Sequence, residues 1–434
     1  MIRTALCATA LLGLTFNAQA SRADSLRLSI EEAVARATAS NPDLRNDQHD
    51  VEVSEANVER NSAWLANNPY LSLGFSHGSG NVNGNPQTGA ATSTSGSATN
   101  YFGFLSQEFE LGGQRGLRLE SARRSRDRQV WEGKNSAATV IAEVKTAFIH
   151  AQVNVQRVTV ARRSVDIAAD LVSQLEKENP SAGSERIEIN AARVQEERTR
   201  LDLAEAEQAR DDGFDTLRHL LAIPFTQDIE LTGTTDSKPT PLPPLTDLVA
   251  RAVRQRPDLV ALRHAADSAE ASLGLANRDR IPNVTLTGSF SHFDGVTYGG
   301  GDVGFPIPVF QTKAADIHEA TAERSRVADQ IQALEAQAEM EVRTAYRACV
   351  VAGKTLDSQN RTIVPLSEEN AQISQRQFDR DEASASDLIG QQIDLLTARR
   401  AQLDAIEAFN TSRVELERVV GGSLTSPTES TPAQ

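Results

Sequence analysis

Hydrophobic positions along this chain follow two periods, and the two periods appear twice in the same order. From Gly113 to about Glu178 there is no proline, and apolar residues recur four and three apart at Ala137, Ile141, Val144, Phe148, Ala151, Val155 and Val158. Arg162 interrupts the stripe, and Val165, Ala169 and Val172 resume it. This is a heptad seam, and it predicts one helix of roughly 100 Å at ~1.5 Å per residue. The design returns at Ile331, Leu334, Ala338, Val342, Ala345, Cys349, Ala352 and Leu356, where one four-four step predicts a local stutter. Return helices are predicted at about 184–221 and 384–420. Taken alone, such helices fit a soluble coiled-coil rod equally well.

Ahead of each long helix the period falls to two. Leu71, Leu73 and Phe75 alternate with Ser72, Gly74 and Ser76. Beyond a Gly/Ser/Thr/Asn-rich stretch, Gly78 to Asn100, come Phe102, Phe104 and the run to Leu111. In the second half Val284 and Leu286 alternate with Thr285 and Thr287, Asp294 to Gly301 reads as the turn, and Val303, Phe305, Ile307 and Val309 line the return. Strands are therefore predicted at about 70–78, 101–111, 283–293 and 299–309. Pro306 and Pro308 cannot donate ladder hydrogen bonds, so a bend is expected where the last strand passes into helix. Strands of ~10 residues with one apolar and one polar face suit a transmembrane barrel. Four cannot close one, because two edges would stay unpaired in lipid. Two copies would give eight strands and three would give twelve.

The halves are copies of one unit. Ala33-Val34-Ala35-Arg36-Ala37 with Asn41-Pro42-Asp43-Leu44 is answered by Leu248-Val249-Ala250-Arg251-Ala252 with Arg256-Pro257-Asp258-Leu259. Glu55-Ala56 recurs as Glu270-Ala271, and Phe75-Ser76-His77 as Phe290-Ser291-His292. Val144-Lys145-Thr146-Ala147-Phe148 answers to Val342-Arg343-Thr344-Ala345-Tyr346. Preserved order over so many blocks marks an internal duplication. The first repeat is set at 21–223, a Pro/Thr/Asp-rich equatorial linker at 224–244, the second repeat at 245–420, and a disordered Ser/Thr/Pro tail at 421–434.

Composition narrows the setting. Met1-Ile2-Arg3, the apolar run Leu6 to Phe16 and Ala18-Gln19-Ala20 read as a signal peptide over 1–20, with Cys7 inside it. That leaves Cys349 alone, so no internal disulfide is expected. No later segment reaches the ~20 apolar residues of a membrane helix, so entry into a bilayer would be by β-barrel. A net charge of -15 excludes nucleic acid as a partner, since phosphate binding needs the opposite sign.

Catalytic signals are missing. Seven histidines (His49, His77, His150, His219, His264, His292, His318) form no i, i+4 ligand pair. Gly299-Gly300-Gly301 is not followed by a phosphate-cradling lysine, and there is no Gly-x-Ser-x-Gly elbow. No catalytic, cofactor or metal site is assigned.

The ordered, duplicated set resembles the TolC-type outer membrane efflux family over nearly the whole chain beyond the signal. The repeated Asn/Arg-Pro-Asp-Leu carries the likeness, as does Phe109-Glu110-Leu111-Gly112-Gly113-Gln114-Arg115, where strand passes into helix. The resemblance implies a mainly α homotrimer, with a twelve-stranded β-barrel in outer-membrane lipid continuous with a periplasmic α-helical coiled-coil barrel. It further implies a periplasmic adaptor (membrane fusion protein) at the tips, an inner-membrane pump of RND type, and no enzymatic activity. A weaker likeness is to members serving heavy-metal, other cation or multidrug exporters.

The tips are the turns farthest from the strands. Pro180, Ala182 and Gly183 in the first, and Asp381, Ala383 and Ser384 in the second, are the candidate adaptor contacts, because small residues admit a helical hairpin closely. They also read as ordinary turn formers. Family members often carry an aromatic, two residues and glycine at the second tip; Phe378 matches and Asp381 replaces the glycine. Asp387 falls where the family places an acidic pore gate. Three copies would favour cations at a narrow mouth. The plainer reading is an aspartate favourable at a helix N-terminus. The expected function is passive conduction from an adaptor and pump to the exterior. A type I secretion duct or a periplasmic coiled-coil scaffold are the rivals.

Overall fold

The structure is a computed structural model that describes residues 26–85, 90–177, 183–233, 235–293, 295–310, 312–380 and 382–424. The signal peptide predicted at 1–20 lies outside them.

In the first repeat, β1 (Leu26–Leu28) leads into α1 (Ile30–Ser40) and α2 (Pro42–Ser62). The hairpin β2 (Tyr70–Asn85) and β3 (Ala90–Phe109) follows, then α3 (Gln114–Lys177) and α4 (Gly183–Leu220). The connection holds β4 (Ile229–Leu231). The second repeat runs α5 (Leu245–Gln255), α6 (Pro257–Arg278), β5 (Val284–Phe293), β6 (Val296–Gly304) and α7 (Ala314–Ser358). A π-helical turn (Gln359–Ile363) carries α7 into α8 (Val364–Phe378), and α9 (Ala385–Val420) returns. Pro365 stands two residues beyond that turn. Its missing N–H and crowding ring disfavour a regular α-turn there, and the wider turn accommodates both.

The repeated tetrapeptides start helices. The Asn41 side chain accepts from the amides of Asp43 and Leu44 at 2.8 and 3.3 Å, Pro42 is pre-set for the first turn, and Leu44 is buried. In the second copy Arg256 replaces the asparagine, and its guanidinium does different work. It lies buried, 3.0 Å from Asp258 and 2.6 Å from Glu341, and so ties α6 to α7.

Each repeat builds its own core, and α3 serves both. Val144, Phe148 and Ala151 pack with Leu28, Ala33, Leu217 and Leu221, while Ile149 and Val153 pack with Leu248, Val342, Phe409 and Leu416. The single stripe read from the sequence is therefore widened at this height. Nearly every residue from Ala147 to Asn154 is buried, whereas Val155, read as a seam position, is 40% exposed. Elements pack on two sides of α3, so two adjacent stripes are covered instead of one. Gly213 permits this closeness, since a Cβ there would lie 3.3 Å from the Ala151 backbone.

Between the repeats, β4 pairs parallel to β1. The chain then crosses the helices: Gln152 donates to Gly233 O at 2.5 Å, Asn410 to Asp236 O at 3.0 Å and Asn360 to Ser237 O at 2.7 Å. The predicted tail boundary shifts. Gly421 caps α9 in the left-handed region, Arg251 donates to the carbonyls of Gly422 and Ser423, and Leu424 is buried, so order extends beyond 420. Residues 425–434 lie outside the described residues.

Two strand predictions are corrected. The first hairpin does not stop near 78 and resume at 101; its ladder pairs residues as far as Asn85 with Ala90. Small polar side chains have weak strand preference alone, but a hairpin already in register supplies the missing partners. In the second hairpin β5 ends at Phe293 and β6 spans 296–304, so Phe305, Ile307 and Val309 lie beyond the ladder. Pro306 and Pro308 have no amide to continue it.

Replacing Arg256 by alanine leaves Glu341 half-buried without its cation. The expected loss is on the order of 3 kcal/mol, read as a lower thermal unfolding midpoint with helicity below the transition unchanged.

Candidate functional site: sheet, collar and helical tip

The four long strands form one antiparallel sheet in the order β2-β3-β5-β6. Its register sorts side chains into two faces. Leu71, Leu73, Phe75, Tyr101, Leu105, Leu286, Phe290 and Val303 share one face and are all exposed, Phe75 by 74%. The opposite face carries Ser72, Ser106, Thr287, Ser289, Ser291 and Asp302. Phe102 and Phe104, read from the sequence as the apolar positions of β3, belong to this polar face. Phe102 covers Gly74, and Phe104 lies tilted against Tyr70 with ring centroids 5.7 Å apart. Alternation within β3 leaves open which face is which, and pairing with β2 sets these two residues on the polar side. A sheet with an apolar exposed face and a polar inner one is the arrangement of a barrel wall. Strands β2 and β6 each keep one unpaired edge.

The motif from Phe109 to Arg115 joins sheet to helix. Gly113 takes φ +76, a conformation that favours glycine, and the chain turns there into α3. Gln114 is buried and donates to Ile281 O and Asn283 Oδ1, both at 3.3 Å, at the entry to β5. Arg115 donates to the carbonyls of Ala63 and Ser62 at 3.0 and 2.6 Å, satisfying the end of α2. Glu110 pairs with Arg118. These bonds form a collar that fixes the sheet over the helices.

Lower down, ion pairs join α9 to the first repeat: Lys145 to Glu417 at 2.8 Å, Arg157 to Asp404 and to Glu407 at 2.5 Å each, and Arg400 to Asp202 at 2.6 Å. His150 bonds Glu407 through Nδ1. The hydrogen bond to Glu407 raises the His150 imidazole above its ordinary value despite partial burial. Burial alone would raise the Glu407 carboxyl, but His150 and Arg157 outweigh it and hold it below the usual range. The heptad reading passed over these residues because their positions look like solvated flanks. Only the antiparallel placement of α3 and α9 brings them together.

At the far end the two helical turns meet. Leu171, Val172 and Leu175 of α3, Ile189 and Ala192 of α4, and Ala385 and Leu388 of α9 form a separate cluster, with Phe378 and Ile389 against it. Ser384 is the N-cap of α9, and Asp387 is its reciprocal partner. The Ser384 hydroxyl donates to the Asp387 carboxylate at 2.7 Å and accepts from the Asp387 amide at 3.2 Å. Asp387 is thus an exposed N-terminal capping residue. Ala383 is half-buried beside it, and Gly183 opens α4. Pro180, Ala182 and Asp381 lie outside the described residues. Among the described residues no cluster of three or more His, Cys, Asp or Glu could hold a metal ion, and no helix is long and apolar enough to cross a membrane.

Residues 33–222 and 248–422 match the outer membrane efflux protein family, one segment in each repeat. A cobalt-zinc-cadmium resistance protein of Cupriavidus metallidurans, CzcC, is 21% identical over 314 residues, 72% of this chain and 75% of its own. Among solved structures, the open state of the Neisseria gonorrhoeae MtrE outer membrane channel superposes with a TM-score of 0.75 at 20% identity, covering 92% of this chain and 91% of its own. The outer membrane protein VceC of Vibrio cholerae gives 0.72 at 15% identity, covering 91% and 97%. The chain belongs to the outer membrane efflux protein family. It is an outer-membrane exit channel protein, with strands for the membrane and long helices for the periplasm.

The His150–Glu407 pair gives a signed pH dependence. With the folded imidazole raised, its contribution is complete below the unfolded value of ~6.5 and is lost as pH rises through the higher folded value. With Glu407 depressed, the carboxylate's contribution is present above ~4.3 and is lost as pH falls through its lower folded value. His150→Gln is expected to flatten the decline of unfolding midpoint from pH 6 to 8 and to weaken the acid limb, leaving the part that Arg157 supports. Melting curves across that range check it.

Proposed function

We propose that three copies of the chain close into the exit duct of a tripartite efflux assembly. A periplasmic adaptor of the membrane fusion type would meet the tips, and an inner-membrane pump of RND type would supply the energy. The carrying observation is that the sheet and the helices are left open along the same two edges. In the first repeat β2 has a free edge, and α4 exposes Ile187, Val194 and Leu201 seven residues apart. In the second repeat β6 has a free edge, and α8 exposes Leu366 and Ile373 at the same spacing. Each pair of stripes is a half-built coiled-coil seam. A neighbouring copy placed β2 to β6 sets α4 against α8, so one rotation completes both layers. A cyclic assembly of heterologous contacts follows, and closure leaves no strand edge in lipid. Three copies supply twelve strands.

Cargo would move passively through the water-filled tube. Divalent metal cations are favoured over polypeptide by the likeness to CzcC, named for cobalt, zinc and cadmium resistance, and by the net charge of -15. Asp387 would stand three times around the periplasmic mouth and favour cations there. Its bond to Ser384 holds the carboxylate at the helix start and so sets the position of that charge. Ala383, Ser384 and Gly183, together with Pro180, Ala182 and Asp381, would receive the adaptor.

Electron microscopy of the detergent-extracted protein is expected to show a threefold tube; a detergent-independent monomer or slender rod would discard the channel. Val194→Glu with Leu201→Glu should abolish the trimer while preserving helical circular dichroism. In single-channel recordings Asp387→Ala should reduce preference for cations, and unchanged selectivity removes the gate.

A further inference from the structure

One duplicated motif ends in a residue that the barrel wall does not explain, the histidine of Phe75-Ser76-His77 and of its copy Phe290-Ser291-His292. In both repeats the histidine lies on the exposed apolar face, two residues beyond the phenylalanine. In both it pairs directly across the hairpin with a threonine on the next strand. Nδ1 of His77 is 2.9 Å from the Thr99 hydroxyl, and Nδ1 of His292 is 2.9 Å from the Thr297 hydroxyl. Both sit where the apolar band ends. On β2 that band is Leu71, Leu73, Phe75 and then His77; on β5 it is Val284, Leu286, Phe290 and then His292. Strand β5 has 10 residues, the length of a tilted membrane strand, and His292 is its next-to-last. The strands leave the helical collar at the opposite end, so both histidines mark the side away from the periplasm. Tyr101 stands between Phe75 and His292 in the same cross-strand row, an aromatic of the kind that borders a membrane.

We propose that His77 and His292, each oriented by its threonine, form a ring of donors around the barrel that binds the phosphate groups of lipid headgroups in the outer leaflet. The proposal rests on the barrel reading above. In the tautomer with its ring proton on Nε2, each imidazole accepts from the threonine hydroxyl through Nδ1 and leaves Nε2–H free to donate. The N–H then donates from the barrel wall at the height where acyl chains give way to headgroups. An anionic oxygen is the acceptor best matched to that donor, because a hydrogen bond to a charged partner is stronger than one to a neutral group. Apolar residues below each histidine cover the chains of the same lipid, so one molecule meets both surfaces. Six such sites ring a threefold barrel.

The test uses the full-length protein in detergent, with its oligomeric state followed in the same samples by electron microscopy. Thermal unfolding is measured against a phosphorylated outer-leaflet glycolipid, its dephosphorylated counterpart, and inorganic phosphate alone. Saturable stabilisation by the phosphorylated glycolipid only is expected. His77→Val with His292→Val should require about tenfold more of that lipid, the loss of one charge-assisted bond per site. Thr99→Val with Thr297→Val should move the requirement in the same direction with both imidazoles retained. Equal stabilisation of wild type and the histidine variant, or equal effects of both glycolipids, overturns the proposal while an intact tube preserves the channel. Stabilisation by inorganic phosphate alone would likewise overturn lipid recognition. Absence of any closed oligomer would bring down both readings.

Discussion

A strand in hydrocarbon has no water to satisfy its backbone, and each unpaired amide or carbonyl there costs several kcal/mol. The β2-β3-β5-β6 sheet has four strands and two free edges. No arrangement of one copy pairs those edges, and in the proposed assembly neighbouring copies complete the membrane layer. The helical layer follows the same requirement. Exposed stripes on α4 and α8 flank the repeat edges as β2 and β6 do. The collar at Gln114 and Arg115 keeps the two layers in step, because it bonds the start of α3 both to the entry of β5 and to the end of α2. Without that coupling, closing the sheet would not determine where the helices meet.

The internal duplication makes the tube economical in sequence, but the copies are not interchangeable. Asn41 caps a helix with its side chain, while Arg256 at the equivalent place bridges two helices through buried ion pairs. Helix α3 lies between the two cores and packs into both. Its charged contacts at that height include those to α9, through Lys145, His150 and Arg157. The second repeat is thus fastened to the first by an apolar seam and a line of ion pairs. Partly exposed pairs contribute little each, and their value lies in register.

The tip shows how one residue can satisfy two readings. Asp387 is engaged in a capping box, the ordinary use of an aspartate at that place. A carboxylate fixed by its cap is also a charge fixed in position, which an electrostatic gate requires. The buried cluster of Leu171, Leu175, Ile189 and Leu388 beneath it holds both helical turns together. Under the proposed assembly, opening at the tips would have to break these apolar contacts as well as shift charge.

The repeats, the long helices, the strand-rich segments and the family were all legible in the residues alone, because heptad and two-residue periods are local signals. The expectation of more than one copy rests on the same reading, since an edge count follows from strand number. Boundaries were less legible. The polar stretch after Gly78 became strand once a paired neighbour supplied its hydrogen bonds, and Phe305 to Val309 left the sheet because prolines interrupt the ladder. Facing was decided only in three dimensions. Phe102 and Phe104 alternate correctly but sit on the polar side, since register with β2 sets parity and register is a property of two strands. The same holds for Val155, the His150–Glu407 pair and the threonines behind His77 and His292. Each depends on which distant segment arrives opposite, and a one-dimensional pattern carries no information about that arrival.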